Sequence, residues 1–223
     1  MKLLLLPVIF FILATVVSAQ GNVRNTTLSD KYDLIAKQSN CRTDWRGRMC
    51  DETLQMFRKK ARRPFQSISI RGGDEPPIFD DFNFDGHRDL AICDGMNGVY
   101  ITPSYRVYLY SKSRAKFVFN SSFTSLSQGP AMGFFEVDKR KKTLTTATKM
   151  GFGYFTQRKY DVYDGKPRLI YELIHDESSA EGIWAVITTK KLTRWKWRTW
   201  WKRERIPPTP TKLTEPTTTS PKT

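Results

Sequence analysis

The chain is poor in the residues that build most metal and catalytic centres. Of its 223 residues, three are cysteine and two are histidine. Cys41, Cys50 and Cys93 lack the short paired spacing of a zinc site, and His87 and His175 do not complete a ligand set with them. Neither histidine has a recognisable nucleophile near it in the sequence, and no spacing makes a pair of Glu172, Glu177 and Glu181. The expectation is a binding protein and not an enzyme. Acidic residues are scarce too: 22 stand against 37 Lys and Arg, a net charge of +15. Such a surface expects an anionic partner, and charge alone does not choose between nucleic acid, anionic lipid, a cell-wall polymer and an acidic protein.

Long apolar runs are absent after the first residues. There, Lys2 precedes LLLLPVIFFILATVV, and Val17, Ser18 and Ala19 offer the compact residues a signal peptidase reads. This reads as a secretory signal peptide, residues 1–19, cut after Ala19. The run is short for a span of about 20 residues and carries Pro7. No cysteine lies between that point and Cys41, so no lipid-anchor signal is expected, and no transmembrane segment after cleavage. A periplasmic or secreted location argues against nucleic acid as the partner. It also favours a disulfide, and Cys41 with Cys50 encloses a short polar loop that is easily closed. Cys93, ending an apolar run, is read as a buried free thiol.

What the chain does have is one stretch built for a hard cation, FDDFNFDGHRDLAIC at residues 79–93. Asp81, Asn83 and Asp85 stand at positions 1, 3 and 5 of a loop, able to converge on an ion that takes six to eight oxygens at about 2.3 to 2.6 Å. Gly86 permits the sharp turn. The twelfth position is Ile92, where an EF-hand needs a bidentate glutamate, so Asp89 at position 9 has to close the site. The flanks read as strands, which is the setting of calcium loops in blade-type β modules. The alternative is a solvated turn rich in Asp and Asn.

Around that loop the chain reads as mainly β. Residues 20–63 form an N-terminal segment in which DETLQMFRKKARR predicts one short helix: Asp51 caps it, Leu54, Phe57 and Ala61 fall at helical spacing, and Pro64 ends it. A calcium-binding β domain follows over residues 64–203. QSISIR alternates; RVYLY with KFVFN, GFFEVD with TLTTATK, and RKYDVY with PRLIYELI form hairpins, the last turning at Asp164-Gly165. GIWAVITTKKL and RWKWRTW make a last pair. Successive hairpins imply an antiparallel meander. Residues 204–223, threonine- and proline-rich, are expected to be a disordered tail, and Asn25 and Asn120 open Asn-X-Ser/Thr triplets.

DFNFDGHRDLAI, then PSYRVYLY, FVFNSSFTSL, GFFEVDKRKKTL and IWAVITTKKL occur in an order that resembles the periplasmic immunity proteins related to the Xanthomonas type IV secretion system, over roughly residues 65–200. The resemblance implies a calcium-binding, propeller-like β fold that inhibits a lysozyme-like peptidoglycan hydrolase. It places the metal ligands on Asp81, Asn83, Asp85 and Asp89, with the main-chain carbonyl of His87. The Trp-rich segment and the tail have no counterpart in it.

An inhibitor has to cover or enter a cleft, and aromatic residues are the usual anchors. The loop from Asp94 to Tyr105, directly after the metal loop, offers Tyr100 and Tyr105 as partner-binding tips, which metal binding would stiffen; the alternative is that both pack on the sheet. The second basic feature is KKLTRWKWRTWWKRER at residues 190–205, with eight basic residues and four tryptophans. It suits an anionic lipid or lipopolysaccharide surface. The alternation of Trp195 and Trp197 with Arg194, Lys196 and Arg198 favours instead an edge strand with one buried face.

Overall fold

The computed structural model describes residues 23–27, 31–177 and 184–206. The signal peptide, the tail from residue 207 and Glu181 lie outside them. Fourteen strands follow in order: β1 (Val23–Thr27), β2 (Tyr32–Asp44), β3 (Gly47–Arg58), β4 (Gln66–Gly73), β5 (Ile78–Asp80), β6 (Asp89–Gly95), β7 (Ser104–Ser111), β8 (Lys116–Phe119), β9 (Glu136–Asp138), β10 (Thr143–Lys149), β11 (Tyr154–Tyr163), β12 (Lys166–Asp176), β13 (Trp184–Thr193) and β14 (Lys196–Arg205). They form three antiparallel sheets, β1 to β4, β5 to β8 and β9 to β14, each with neighbours in chain order. Each is an open meander, built from the local pairings that the turn signals specify.

The short sheet β5–β8 lies in the middle. Leu90 and Ile92 of β6 point into one core, with Leu34, Leu54, Met56, Ile68 and Ile70 of the first sheet. Ala91 and Cys93, one residue out of phase, point into a second core with Phe82, Phe123, Phe135 and Leu144. Strand alternation sends successive side chains to opposite faces, so a strand covered on both faces reads as an unbroken apolar run. That is why LAIC is apolar throughout. Each buried Leu, Ile, Met and Phe among them stabilises the fold by about 1.5 to 3 kcal/mol.

The segment predicted as helix is strand β3. Cys50, Glu52, Leu54 and Met56 are all buried, at a period of two, and β3 is hydrogen-bonded to β2 on one side and β4 on the other. Two ladders and a buried face outweigh the helical spacing of Leu54, Phe57 and Ala61, because tertiary burial overrides a weak local preference. The α-helix α1 is a single turn, Ser121–Thr124, well after the N-terminal segment; the Asn120 side chain caps it by accepting the Phe123 N–H at 3.1 Å. Cys41 and Cys50 form the expected disulfide across β2 and β3, and Cys93 is a buried free thiol.

All four expected hairpins form. Asp164 and Gly165 both take positive φ, 50° and 66°, as a tight two-residue hairpin turn requires. β14 is an edge strand, as its charges suggest, but its ten residues are all exposed, so neither face is buried. The buried residues of β13, Ala185, Ile187 and Thr189, mark where cover on the sheet ends. Among the described residues no helix is long and apolar enough to cross a membrane.

Candidate functional site

The loop between β5 and β6 closes on itself through its own side chains. The Asp81 carboxylate accepts the N–H of Asp85 at 3.1 Å and of Gly86 at 2.9 Å. Asn83 Oδ1 accepts from Asp85 N–H at 3.1 Å, and Asp85 Oδ1 from His87 N–H at 2.8 Å. Gly86 sits at φ +86° with open space where a Cβ would stand, so its requirement is conformational and not steric. Phe82 and Phe84 alternate with these polar residues and turn the other way, Phe82 fully buried in the second core and Phe84 packed against it. The loop is thus anchored by its aromatics and lined by oxygens.

Asp89 is 0% exposed, yet both its oxygens are occupied: Oδ2 accepts the Phe82 N–H at 2.9 Å and Oδ1 the Tyr110 N–H at 2.8 Å. Burial pushes its carboxyl up to about 7 against the pull of those two N–H groups, and the Asp85 and Asp81 carboxylates push it further. Lys139, in the turn after β9, brings one cation near by, its Nζ 2.7 Å from Asp80 Oδ1.

The donor set of this loop is oxygen throughout, the chemistry a hard cation takes. Each N–H occupies one lone pair, which leaves others on Asp81, Asn83, Asp85 and Asp89. The Asn83 amide Nδ2 rests 2.9 Å from Asp85 Oδ2, bringing positive partial charge to the carboxylate as a cation does. Among the described residues no group of three or more His, Cys, Asp and Glu side chains is placed to hold a metal by itself. A shell here would therefore have to draw on the Asn83 amide, main-chain carbonyl oxygen and water as well. The residues fit a hard cation on those terms. The His87 ring is turned to Tyr110, with centroids 5.6 Å apart.

The two tyrosines proposed as tips part company. Tyr105 is 6% exposed, in β7, with its ring 5.0 Å from Phe134 in the second core, so it forms no contact tip. Tyr100 is 58% exposed. It belongs to a tight turn in which Tyr100 and Ile101 both adopt left-handed φ, 57° and 62°, rare for a bulky residue and more so for a β-branched one. Hydrogen bonds hold it there: Gly98 N–H to Thr102 O at 2.9 Å, and Thr102 Oγ1 to Val99 O at 2.9 Å and Ala131 O at 3.2 Å. A Cβ on Gly98 would stand 2.7 Å from Ala131 O, so only glycine fits that approach.

This turn lies at the opposite end of β6 from the oxygen-lined loop, roughly 20 Å away at strand rise over six residues. Any stiffening of this turn by the loop would have to pass along β6. Its real neighbour is the β10–β11 turn: Tyr100 Oη donates to Gly151 O at 3.4 Å, and Lys149 Nζ lies 5.5 Å from the Tyr100 ring centre. That turn presents Met150 and Phe152, the latter 97% exposed, and Met132 and Ile101 are exposed as well. Beside Phe152 is a cavity of about 330 Å³ lined by Tyr154, Phe155 and the pair His175 and Glu177, whose Nε2 and Oε1 are 3.0 Å apart. Met150 and Phe152 were missed from the sequence, although an aromatic between Gly151 and Gly153 in a hairpin turn is itself a signal of display.

Glu172 serves structure: its oxygens take Arg158 Nε and Lys190 Nζ, each at 2.8 Å, tying β11, β12 and β13 together.

No protein-family model matches this chain, and no curated protein matches it. Among solved structures it is similar to one described as a Xanthomonas Type IV Secretion System related protein, with a TM-score of 0.61 and 19% sequence identity, over 80% of this chain and 97% of that one. At that identity the likeness establishes a shared fold.

Proposed function

We propose that this chain is an exported calcium-binding protein that inhibits a lysozyme-like peptidoglycan hydrolase, an immunity-type binding protein and not an enzyme. The observation that carries the reading is the joint display of Tyr100, Ile101 and Phe152 on adjoining turns, the first two held at left-handed φ and the third between Gly151 and Gly153. Exposed apolar groups in fixed geometry bind a cleft with little ordering cost, and aromatics are the usual energetic anchors. The shared fold with a secretion-system-related protein supports it.

In this reading Asp81, Asn83, Asp85 and Asp89, with the His87 carbonyl, would hold calcium, and the ion's contribution is to neutralise three neighbouring carboxylates and fasten β5 to β6. Calcium thus acts on stability and only indirectly on the contact surface. The four-stranded meanders β1–β4 and β5–β8 have the strand order of propeller blades, which supports reading the fold as propeller-like. The disulfide suits a periplasmic or secreted location.

The test is a turbidity assay of peptidoglycan lysis by a panel of lysozyme-like hydrolases, with added protein. Stoichiometric protection against at least one, lost on Tyr100→Ala with Phe152→Ala, is expected. Turnover of peptidoglycan by the protein itself would overthrow the assignment.

A further inference from the structure

We propose that the β13–β14 hairpin is a docking surface for an anionic lipid bilayer, a function separate from inhibition. Every residue of β14 is exposed, and the strand forms the free edge of the six-stranded sheet. Pairing fixes which face each side chain takes. Trp200 stands opposite the buried Thr189, so it shares a face with Arg198 and Lys202; Trp197 and Trp201, opposite Leu192 and Thr188, share the other with Arg203 and Arg205. Indole and cation therefore occur on both faces of one edge. Lys202 pairs with Glu204, while Lys196, Arg198, Arg203 and Arg205 have no carboxylate within ion-pair distance among the described residues.

The hairpin is also fixed at its tip. Arg168 is 4.5 Å from both the Tyr163 and the Trp195 ring centres, which meet each other edge to face at 5.7 Å, and its guanidinium bonds Asp161, with Nε 2.9 Å from Oδ1. Arg194 and Trp195, the two turn residues, hold positive φ of 48° and 66° without glycine or asparagine. The clamp on Trp195 keeps the tip in that conformation, so the edge needs no further ordering to dock.

A lipid surface uses all of these features together. Tryptophan settles at headgroup depth, and unpaired Lys and Arg meet anionic headgroups. The free backbone groups of the edge stay hydrated at that depth, as they must. A soluble polyanion would use the cations and leave four indoles idle. Addition of a partner strand is opposed by the charges along the edge.

Co-sedimentation with vesicles of about one-quarter phosphatidylglycerol in phosphatidylcholine, against pure phosphatidylcholine, tests the proposal. Binding is expected only with the anionic lipid, weakening with salt. It should fall about tenfold or more on Arg198→Gln with Arg203→Gln, and similarly on Trp197→Ala, Trp200→Ala and Trp201→Ala together. Near-ultraviolet circular dichroism checks that each variant is folded, and the charge variant decides alone should the tryptophan variant unfold. No binding to the anionic vesicles, binding equal on both lipids, unchanged binding in a folded variant, or dextran sulfate bound in preference to vesicles would each overturn it.

Discussion

Asp89 Oδ1 accepts the backbone N–H of Tyr110 at 2.8 Å, which joins the end of the oxygen-lined loop to β7, two strand positions beyond the ladder that pairs Leu90 with Tyr108. Its other oxygen takes the Phe82 N–H. One buried carboxylate thus satisfies two main-chain donors, and it links the loop's closure to the inner strand β7 of the middle sheet.

Replacing Asp89 with alanine leaves those two donors buried and unpaired, at about 1 to 3 kcal/mol each. Denaturant unfolding should show Asp89→Ala losing roughly 2 to 6 kcal/mol, and Asp89→Asn losing less because its one oxygen still accepts. Equal loss in both variants would mean that charge, and not acceptor count, sets the cost.

The contact surface separates from the core by mutation. Tyr100→Ala and Phe152→Ala remove exposed rings, so each should change unfolding free energy by about 0.5 kcal/mol or less. Inhibition of the target hydrolase should fall by about tenfold or more for each, the range of an aromatic anchor. Tyr105→Ala should do the reverse: about 3 to 5 kcal/mol of stability is lost with a buried ring.

Glu172 predicts an acid limb. Burial alone would raise its pKa, but the hydrogen bonds and charges of Lys190 and Arg158 outweigh that and hold the carboxyl below the usual range. A folded pKa below the unfolded one means the stability it contributes is present above the ordinary glutamate range and is lost as pH falls through the depressed value. Thermal melts across acid pH should show Glu172→Gln with a shallower decline than wild type. Parallel curves would rule this carboxylate out as a source of acid sensitivity.

Local chemistry explains what could be read from residues alone. The Asp164-Gly165 turn and the pairing of β7 with β8 are set by near neighbours, and each is where its spacing places it; the same short range lets the Asp81 and Asn83 side chains close their loop on the Asp85 N–H. What failed depended on distant cover. DETLQMFR satisfies helical and alternating patterns together, and only the first core, filled from β4 and β6, decides for a strand. Tyr105 and Tyr100 look equivalent in a loop of twelve residues; Phe134 and the second core cover one, while the other meets only the β10–β11 turn and stays 58% exposed. Likewise the alternation in β14 promises a buried face that no element among the described residues supplies.

Calorimetric titration of the purified, chelator-treated protein with calcium tests the central claim most directly, with a thermal melt at each end point. The account predicts one saturable site, a higher Tm with calcium, and loss of both effects in Asp81→Ala and Asp85→Ala. No binding heat together with an identical Tm in calcium and in chelator would contradict it, and would leave the loop as a turn stapled by its own side chains.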